Sequence, residues 1–241
     1  MRIPRIYTPQ AITPSSLLEL EEGASHHLLK VLRMQAGREL ILFNNSGIEF
    51  PAVIEQSGKK IAVVSVGEEI PFNRESPLMT ELAIGISRGD RFDWVLQKAT
   101  ELGVTRIVPL FTERTEVRLN NERLLKRQQQ WEKILIGACE QCQRNTLPDL
   151  LPATPLQHYL DNCDTDYKFI LHHRSETRLA ELNKPSSVSL LIGPEGGLNS
   201  DEILQAEARG FTSLALGPRV LRTETAPIAT LAIFQTLWGD I

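Results

Sequence analysis

Two stretches in the last third of the chain combine residue types that suit a small polar ligand. They are Gly193-Pro194-Glu195-Gly196-Gly197 and Gly217-Pro218-Arg219-Val220-Leu221-Arg222-Thr223-Glu224-Thr225-Ala226. Gly196 and Gly197 let backbone amides approach a ligand without Cβ hindrance and are free to take φ > 0. Each stretch follows an apolar run, SLLIG or LALG, that reads as a strand. If the helical segment between them is a parallel crossover, both loops leave the carboxyl ends of neighbouring strands, where open α/β sheets bind ligands. Ordinary strand-to-helix turns also use glycine; Arg219, Arg222 and Glu224 in the second loop favour a site. Neither stretch is a phosphate loop, since GPEGG is not G-x-G-x-x-G and the chain has no G-x-x-x-x-G-K-[ST]. Glu195 beside the amides would repel a diphosphate, and better suits ribose hydroxyls and a cationic centre.

Three other constellations compete. Gly85-Ile86-Ser87-Arg88-Gly89 matches the G-x-S-x-G nucleophile elbow between a strand and a helix, which makes a serine hydrolase using Ser87 the alternative enzyme class. Such folds need an acid and then a histidine downstream, and His158, His172 and His173 sit far from the C-terminal end. Cys139 and Cys142 share a helix face, but zinc wants four ligands and no second pair exists, so small buried side chains are the simpler account. His172 and His173, as neighbours on a strand, point to opposite faces and cannot grip one ion. His26-His27 precedes an apolar helix, where it packs or touches a partner. No metal site is expected.

The elements that must position these residues fall into two regimes. Residues 38–66 read as three short strands, RELILFN, EFPAVIEQ and KKIAVVSV, separated by Asn44-Asn45-Ser46-Gly47 and Ser57-Gly58, the grammar of a small antiparallel barrel. Ahead of them Ser25 is expected to cap a helix carrying Leu28, Leu29 and Leu32. The polar stretch 68–77, with two prolines and no periodicity, holds the boundary, giving domains 1–72 and 73–241. Beyond it, LAIGIS, a helix through Phe92, Val95, Leu96, Ala99 and Leu102 closed by Gly103, and RIVPLF alternate as in a parallel α/β sheet. A long helix spans about 120–143. Strands YKFILHH, SVSLLIG and TSLALG follow, with a helix between the last two that carries the capping-box pair Asn199 and Glu202 and ends at Gly210. The final helix, about 226–238, is apolar nearly all round and must be covered on both sides, by its own sheet or by a second subunit.

Totals narrow the class. The 241 residues allow one large or two modest domains. No run approaches the roughly 18 apolar residues of a membrane span, and MRIPRIYTPQ lacks an apolar segment behind its arginines, so a cytoplasmic protein is expected. Three cysteines are too few for a disulfide framework. The net charge of −4 argues against nucleic acid only until its distribution is considered. Between 106 and 127 stand six basic residues (Arg106, Arg114, Arg118, Arg123, Lys126, Arg127) against three acidic (Glu113, Glu116, Glu122). A second basic group comprises Arg2, Arg5, Lys30, Arg33 and Arg38. On charge alone, solvated faces are the favoured account, and charge by itself does not identify the partner.

At this point the chain resembles a known family. MRIPRIY, HHLLKVLR (26–33), SRGDRFDWVLQKATELGVTRIVPLF (87–111), ACEQCQRNTLP (138–148), LLIGPEGG (190–197) and LGPRVLRTETA (216–226) together look like the bacterial RNA methyltransferases that modify N3 of a uridine in 16S ribosomal RNA. The resemblance implies an N-terminal PUA-like β-barrel that helps hold RNA and a C-terminal α/β domain of the SPOUT class with a trefoil knot, although general topology rules disfavour knots. It also implies a homodimer, S-adenosyl-L-methionine as methyl donor, and ribosomal RNA of the small subunit as partner. The donor is expected among three segments: Leu171 and His172; Ile192, Gly193, Gly196 and Gly197; and Leu216, Gly217, Val220, Leu221, Arg222, Thr225 and Ala226. Pro227 departs from a freer helix start, but proline is acceptable in a first turn.

That activity sets chemical demands. Uridine N3 becomes a good nucleophile only when its proton leaves, so the enzyme must stabilise a uridine anion. Arg222 is the expected partner of O2 or O4, where charge develops, and Glu195 or Glu224 the expected proton acceptor, unless either binds donor hydroxyls or braces an arginine. The sulfonium already makes the methyl electrophilic, so no metal is called for. Arg2, Arg5, Lys30, Arg33, Arg88, Arg114, Arg118, Arg144 and Arg219 are the expected RNA contacts. A non-catalytic RNA-binding module is the alternative outside enzymes; the glycines and arginines of both loops speak against it.

Overall fold

A computed structural model describes residues 3–58, 60–116, 120–172 and 179–241. The chain divides into two units, Met1–Glu75 with Ile136–Leu147, and Ser76–Leu135 with Pro148–Ile241.

The first unit is a six-stranded mixed sheet around its own core. In chain order it runs β1 (Arg5–Tyr7), β2 (Leu17–Glu19), α1 (Glu22–His26), one π-helical turn (His27–Val31), β3 (Glu39–Phe43), β4 (Ile48–Ser57), β5 (Ala62–Val66) and β6 (Ile70–Pro71). The strand order is β1-β3-β4-β5-β2, with β6 on β4. β1 runs parallel to β3, and the remaining pairs are antiparallel. Period-two alternation in β5 buries Ala62, Val64 and Val66 against Leu28, Leu40, Leu42, Phe50 and Ile54. The three strands legible in the sequence are β3, β4 and β5; β1, β2 and β6 are too short to show alternation. Ser25 does not cap the helix. The Glu21 side chain accepts from the Ala24 amide at 2.9 Å. Ser25 lies buried inside α1, donating to the Leu20 carbonyl at 2.8 Å and accepting from the Ala62 amide at 3.1 Å.

Segment 136–147 joins this unit through buried polar groups. The Arg5 guanidinium pairs with Glu49 at 2.6 Å and donates to the Asn145 side chain. Arg144 donates to Glu75 at 3.0 Å, and Asn145 donates to the Phe72 carbonyl at 2.8 Å. A guanidinium withdrawn from water without a carboxylate would cost several kcal/mol, and the pairing avoids that penalty. Burial pushes the Glu140 carboxyl up from its ordinary range, against the Tyr7 amide that donates to it at 3.0 Å.

The second unit is a seven-stranded sheet, parallel throughout. Its elements are β7 (Met79–Gly85), α2 (Asp90–Glu101), β8 (Arg106–Phe111), α3 (Asn121–Cys142, whose last turns belong to the first unit), β9 (Asp149–Leu150), β10 (Thr154–Pro155), α4 (Leu156–Asn162), β11 (Tyr167–Leu171), a 3-10 turn (Leu179–Glu181), β12 (Ser187–Ile192), α5 (Ser200–Glu207), β13 (Thr212–Leu214) and α6 (Thr225–Trp238). The order is β10-β8-β7-β12-β11-β13, with β9 on β8. The strands are near-continuous apolar runs because residues from both faces are buried. Leu82, Ile84, Phe169 and Leu190 join one core with Val95, Leu96, Phe234 and Trp238, while Ala83, Val108, Ile170 and Leu191 join another with Tyr159 and Phe211.

The caps behave as their residues dictate. Asn199 and Glu202 form both halves of a capping box on α5, a feature worth about 1 kcal/mol. Pro227 falls in the first turn of α6, where a missing N–H costs no intrahelical bond. Helix α6 sends Leu231, Phe234 and Trp238 into the core, with the Phe169 and Phe234 rings 5.6 Å apart, and leaves Ile233 and Leu237 exposed. Under the sheet, burial raises the Tyr159 hydroxyl well above its ordinary range, so it remains a donor to Glu81 at 2.8 Å. Among the described residues no helix is long and apolar enough to cross a membrane.

Candidate active site

All strands of the second unit being parallel, their carboxyl ends form one rim. Register places Ile84 beside Ile192, Ile170 beside Leu191, and Leu171 beside Leu214. Both glycine loops leave this rim, as the residue types suggested, but not from neighbouring strands: β11 stands between β12 and β13 and pairs with each. The insertion sets Leu171 and His172 between the loops. Local spacing does not reveal strand order, which is settled by pairing between segments far apart in the chain.

The three segments enclose a cavity of about 430 Å³. Of the residues expected to hold a donor, Leu171, His172, Ile192, Gly193, Gly196, Gly197, Leu216, Gly217, Val220, Leu221 and Ala226 line it. Thr225 and Arg222 are not among its lining. The wall also takes in Arg114, Pro194, Glu195, Leu198, Ile203, Leu214, Ala215, Arg219 and Thr223. Ile203 comes from α5 and Arg114, expected as an RNA contact, from the segment after β8; neither lies in a glycine loop, so no local signal marked them as part of this cavity. Aliphatic side chains on several sides and glycine-rich backbone between them are the lining of a small-molecule site.

Close packing explains the glycines. A Cβ on Gly193 would lie 2.6 Å from the Leu198 amide nitrogen and 2.7 Å from the Gly197 carbonyl carbon, so the loop closes on itself only there. Gly197 takes φ +68° and Gly217 φ +82°, whereas Gly196 keeps φ negative. Gly85 has a similar reason: a Cβ on it would meet the Pro194 nitrogen at 2.5 Å. The elbow-like motif therefore marks β7 running against the first loop. Ser87 is buried with its hydroxyl on the Gly85 carbonyl, not raised as a nucleophile.

Charges around the cavity are already partly committed. Glu195 accepts from the Arg88 amide at 2.9 Å, ahead of the N-terminus of α2, and pairs with Arg91 at 3.5 Å. Arg114 donates to the Gly196 carbonyl at 2.7 Å. The Arg222 side chain is 81% exposed and reaches Glu224 only at 4.0 Å, while the Glu224 side chain is 21% exposed. Such a guanidinium is free to move toward a substrate.

The expected RNA contacts separate into groups. Lys30, Arg33, Arg88, Arg114 and Arg219 are exposed. Arg5 and Arg144 are corrected: both are buried in the ion pairs of the first unit and present no charge to a phosphate. Arg2 and Arg118, like His173, lie outside the described residues. Cys139 is buried, its thiol pushed up by a hydrogen bond with Cys142 and by burial, and among the described residues no cluster of three metal-ligating side chains occurs.

Comparison with known proteins agrees with this geometry. Residues 74–235 match the family model described as an RNA methyltransferase domain, and 20–67 the one described as an RNA methyltransferase PUA domain. The chain is 36% identical over 244 residues to a ribosomal RNA small subunit methyltransferase E of Buchnera aphidicola, covering 99% of this chain and 95% of that protein. A methyltransferase from Legionella pneumophila, solved with its cofactor SAM bound, superposes with a TM-score of 0.97 at 44% identity, with 100% of both chains covered. A ribosomal RNA small subunit methyltransferase E from Neisseria gonorrhoeae, solved with S-adenosyl methionine, gives 0.92 at 38% identity, again over 100% of both.

Proposed function

This chain belongs to the RNA methyltransferase family, and from that membership we propose that it transfers the methyl group of S-adenosylmethionine to N3 of a uridine in small-subunit ribosomal RNA. The observation that carries the reading is the cavity in which three rim segments meet, on a chain matched end to end by relatives holding that donor. The trefoil knot expected for this fold and action in the cytoplasm, where ribosomal subunits are assembled, are part of the same proposal.

Bound there, the donor supplies a methyl group made electrophilic by its sulfonium. Leu171, Ile192, Leu216 and Leu221 form the apolar walls and exclude water, while backbone of the glycine loops meets polar edges. Arg222, exposed and weakly held, swings onto O2 or O4 of the uracil and stabilises the negative charge that develops as N3 loses its proton. Glu195, held by the Arg88 amide and Arg91, braces the loop. Glu224, paired among the described residues with Arg222 at 4.0 Å, accepts the proton. Holding base and donor in line supplies much of the remaining acceleration.

Calorimetry with S-adenosylmethionine, followed by mass spectrometry of ribosomal RNA from cells lacking the protein, tests the whole reading. Heat of binding and a missing N3-methyluridine support it. Absence of heat favours a binding module without catalysis.

The exposed cations set a second expectation. Replacing Lys30 and Arg33 by alanine should weaken RNA binding for all sequences alike and flatten the plot of log affinity against log salt by about two, one for each phosphate no longer neutralised. An unchanged slope would remove these two residues from the interface.

The apolar final helix supports a homodimer, because Ile233 and Leu237 remain exposed on α6. Light scattering should give about twice the chain mass of 27.1 kDa, and Leu237→Glu should halve it. A monomeric wild-type protein would end that part of the proposal.

A further inference from the structure

Beside the donor cavity, and sharing Glu195 with it, lies a wider hollow of about 730 Å³ lined by Arg88, Arg91, Trp94, Glu116 and Glu224 among others. We propose that this hollow is a nucleotide subsite in which Trp94 stacks the base adjoining the target uridine in the RNA strand. The inference rests on the RNA methyltransferase reading and extends it to how the strand is held.

Trp94 is the observation from which it starts. Its neighbours on α2, Phe92, Val95, Leu96 and Ala99, are buried, yet Trp94 is 43% exposed, whereas Trp131 and Trp238 are 2% and 3% exposed. It lies three positions after Arg91, so the indole and a guanidinium occupy one helix face. An exposed aromatic ring beside arginines is the combination on which single-stranded RNA bases stack while their phosphates are held.

One of the two arginines is available for that work. Arg88 pairs with Glu116 at 3.0 Å with both side chains largely exposed, while Arg91 stays on Glu195 at 3.5 Å. An exposed pair such as Arg88–Glu116 contributes little, so that guanidinium exchanges its carboxylate for a phosphate at small cost. The hollow shares Glu195 with the donor cavity and also takes in Glu224, so a strand whose target base faces the donor would carry its adjoining nucleotide to the hollow. Six of its eight lining residues carry a charge, Arg88, Asp90, Arg91, Glu116, Glu195 and Glu224, and charged residues are depleted at the core of protein interfaces, which favours a nucleotide over a second copy of the chain.

The test uses the full chain and a short single-stranded oligonucleotide carrying the target uridine. With Trp131 and Trp238 buried, a change in tryptophan emission on RNA binding reports Trp94; stacking should quench it, and Trp94→Phe should abolish the quench. Trp94→Phe retains an aromatic face and should keep KM for RNA within about threefold, while Trp94→Ala should raise it about tenfold or more with donor affinity unchanged. Unchanged KM in Trp94→Ala, or no quench in the wild-type protein, would overturn the subsite. So would loss of the wild-type oligomeric mass in Trp94→Ala, which would assign the ring to a contact between copies. Wild-type turnover, on the oligonucleotide or on small ribosomal subunits, separates the two readings: normal turnover on either with an unaffected Trp94→Ala sinks only the subsite, whereas no wild-type turnover on either sinks the proposed function and the subsite with it.

Discussion

Arg222→Ala is expected to lower the rate of methyl transfer about 10²–10³-fold while the dissociation constant for S-adenosylmethionine stays within about twofold. The split follows from position. The side chain of Arg222 is largely exposed and does not line the donor cavity, so its removal leaves that wall intact. On the proposed mechanism, what disappears is the cation that would meet the oxygen on which charge accumulates when N3 is deprotonated. Arg222→Lys keeps the charge but not the planar pair of donors, and should recover only part of the rate. Single-turnover kinetics with saturating RNA, alongside calorimetry with the donor, make the distinction. Turnover at the wild-type rate would remove Arg222 from the chemistry, and donor affinity falling in step with the rate would make it a part of the wall.

Gly193→Ala is expected to act on the other half of that split, weakening donor binding about 10- to 100-fold with little change in overall fold. The added methyl meets backbone atoms of Gly197 and Leu198 at 2.7 and 2.6 Å, and backbone cannot rotate away as a side-chain tip would. Opening the turn to admit the methyl costs about 1–3 kcal/mol, as overpacking does elsewhere, and each 1.4 kcal/mol is tenfold in affinity. The lesion stays local because the loop follows β12, whose residues keep their own ladders to β7 and β11. Isothermal titration together with circular dichroism would separate weakened affinity from a damaged fold. An alanine variant that binds the donor normally would show that this turn does not shape the site.

The two loops are legible in the sequence because their chemistry is local: glycines in tight turns, arginines and glutamates within ten residues of one another, apolar runs leading in. Strands β3, β4 and β5 and the α5 capping box are legible for the same reason, since alternation and a three-residue spacing carry their own geometry. What escapes depends on partners distant in sequence. Arg5 and Arg144 look like any other surface cations until Glu49, 44 residues from the first, and Glu75, 69 from the second, are found beside them. Ser25 has the residue type of a cap, yet the helix begins earlier and the Glu21 carboxylate takes that place. The position of β11 between β12 and β13 has no local signature, and neither has β1, three residues paired in parallel with β3.

That strand order bears on when the protein becomes active. The middle strand of the three, β11, needs β13 along its outer edge, and the segment that follows β13 forms one side of the cavity. A polypeptide still emerging from the ribosome, with nothing beyond Phe211 yet released, has the first glycine loop but lacks that side. Such a chain lacks the wall that Leu214 to Ala226 supply however well its earlier strands have paired, and the cavity is complete only once that segment is in place.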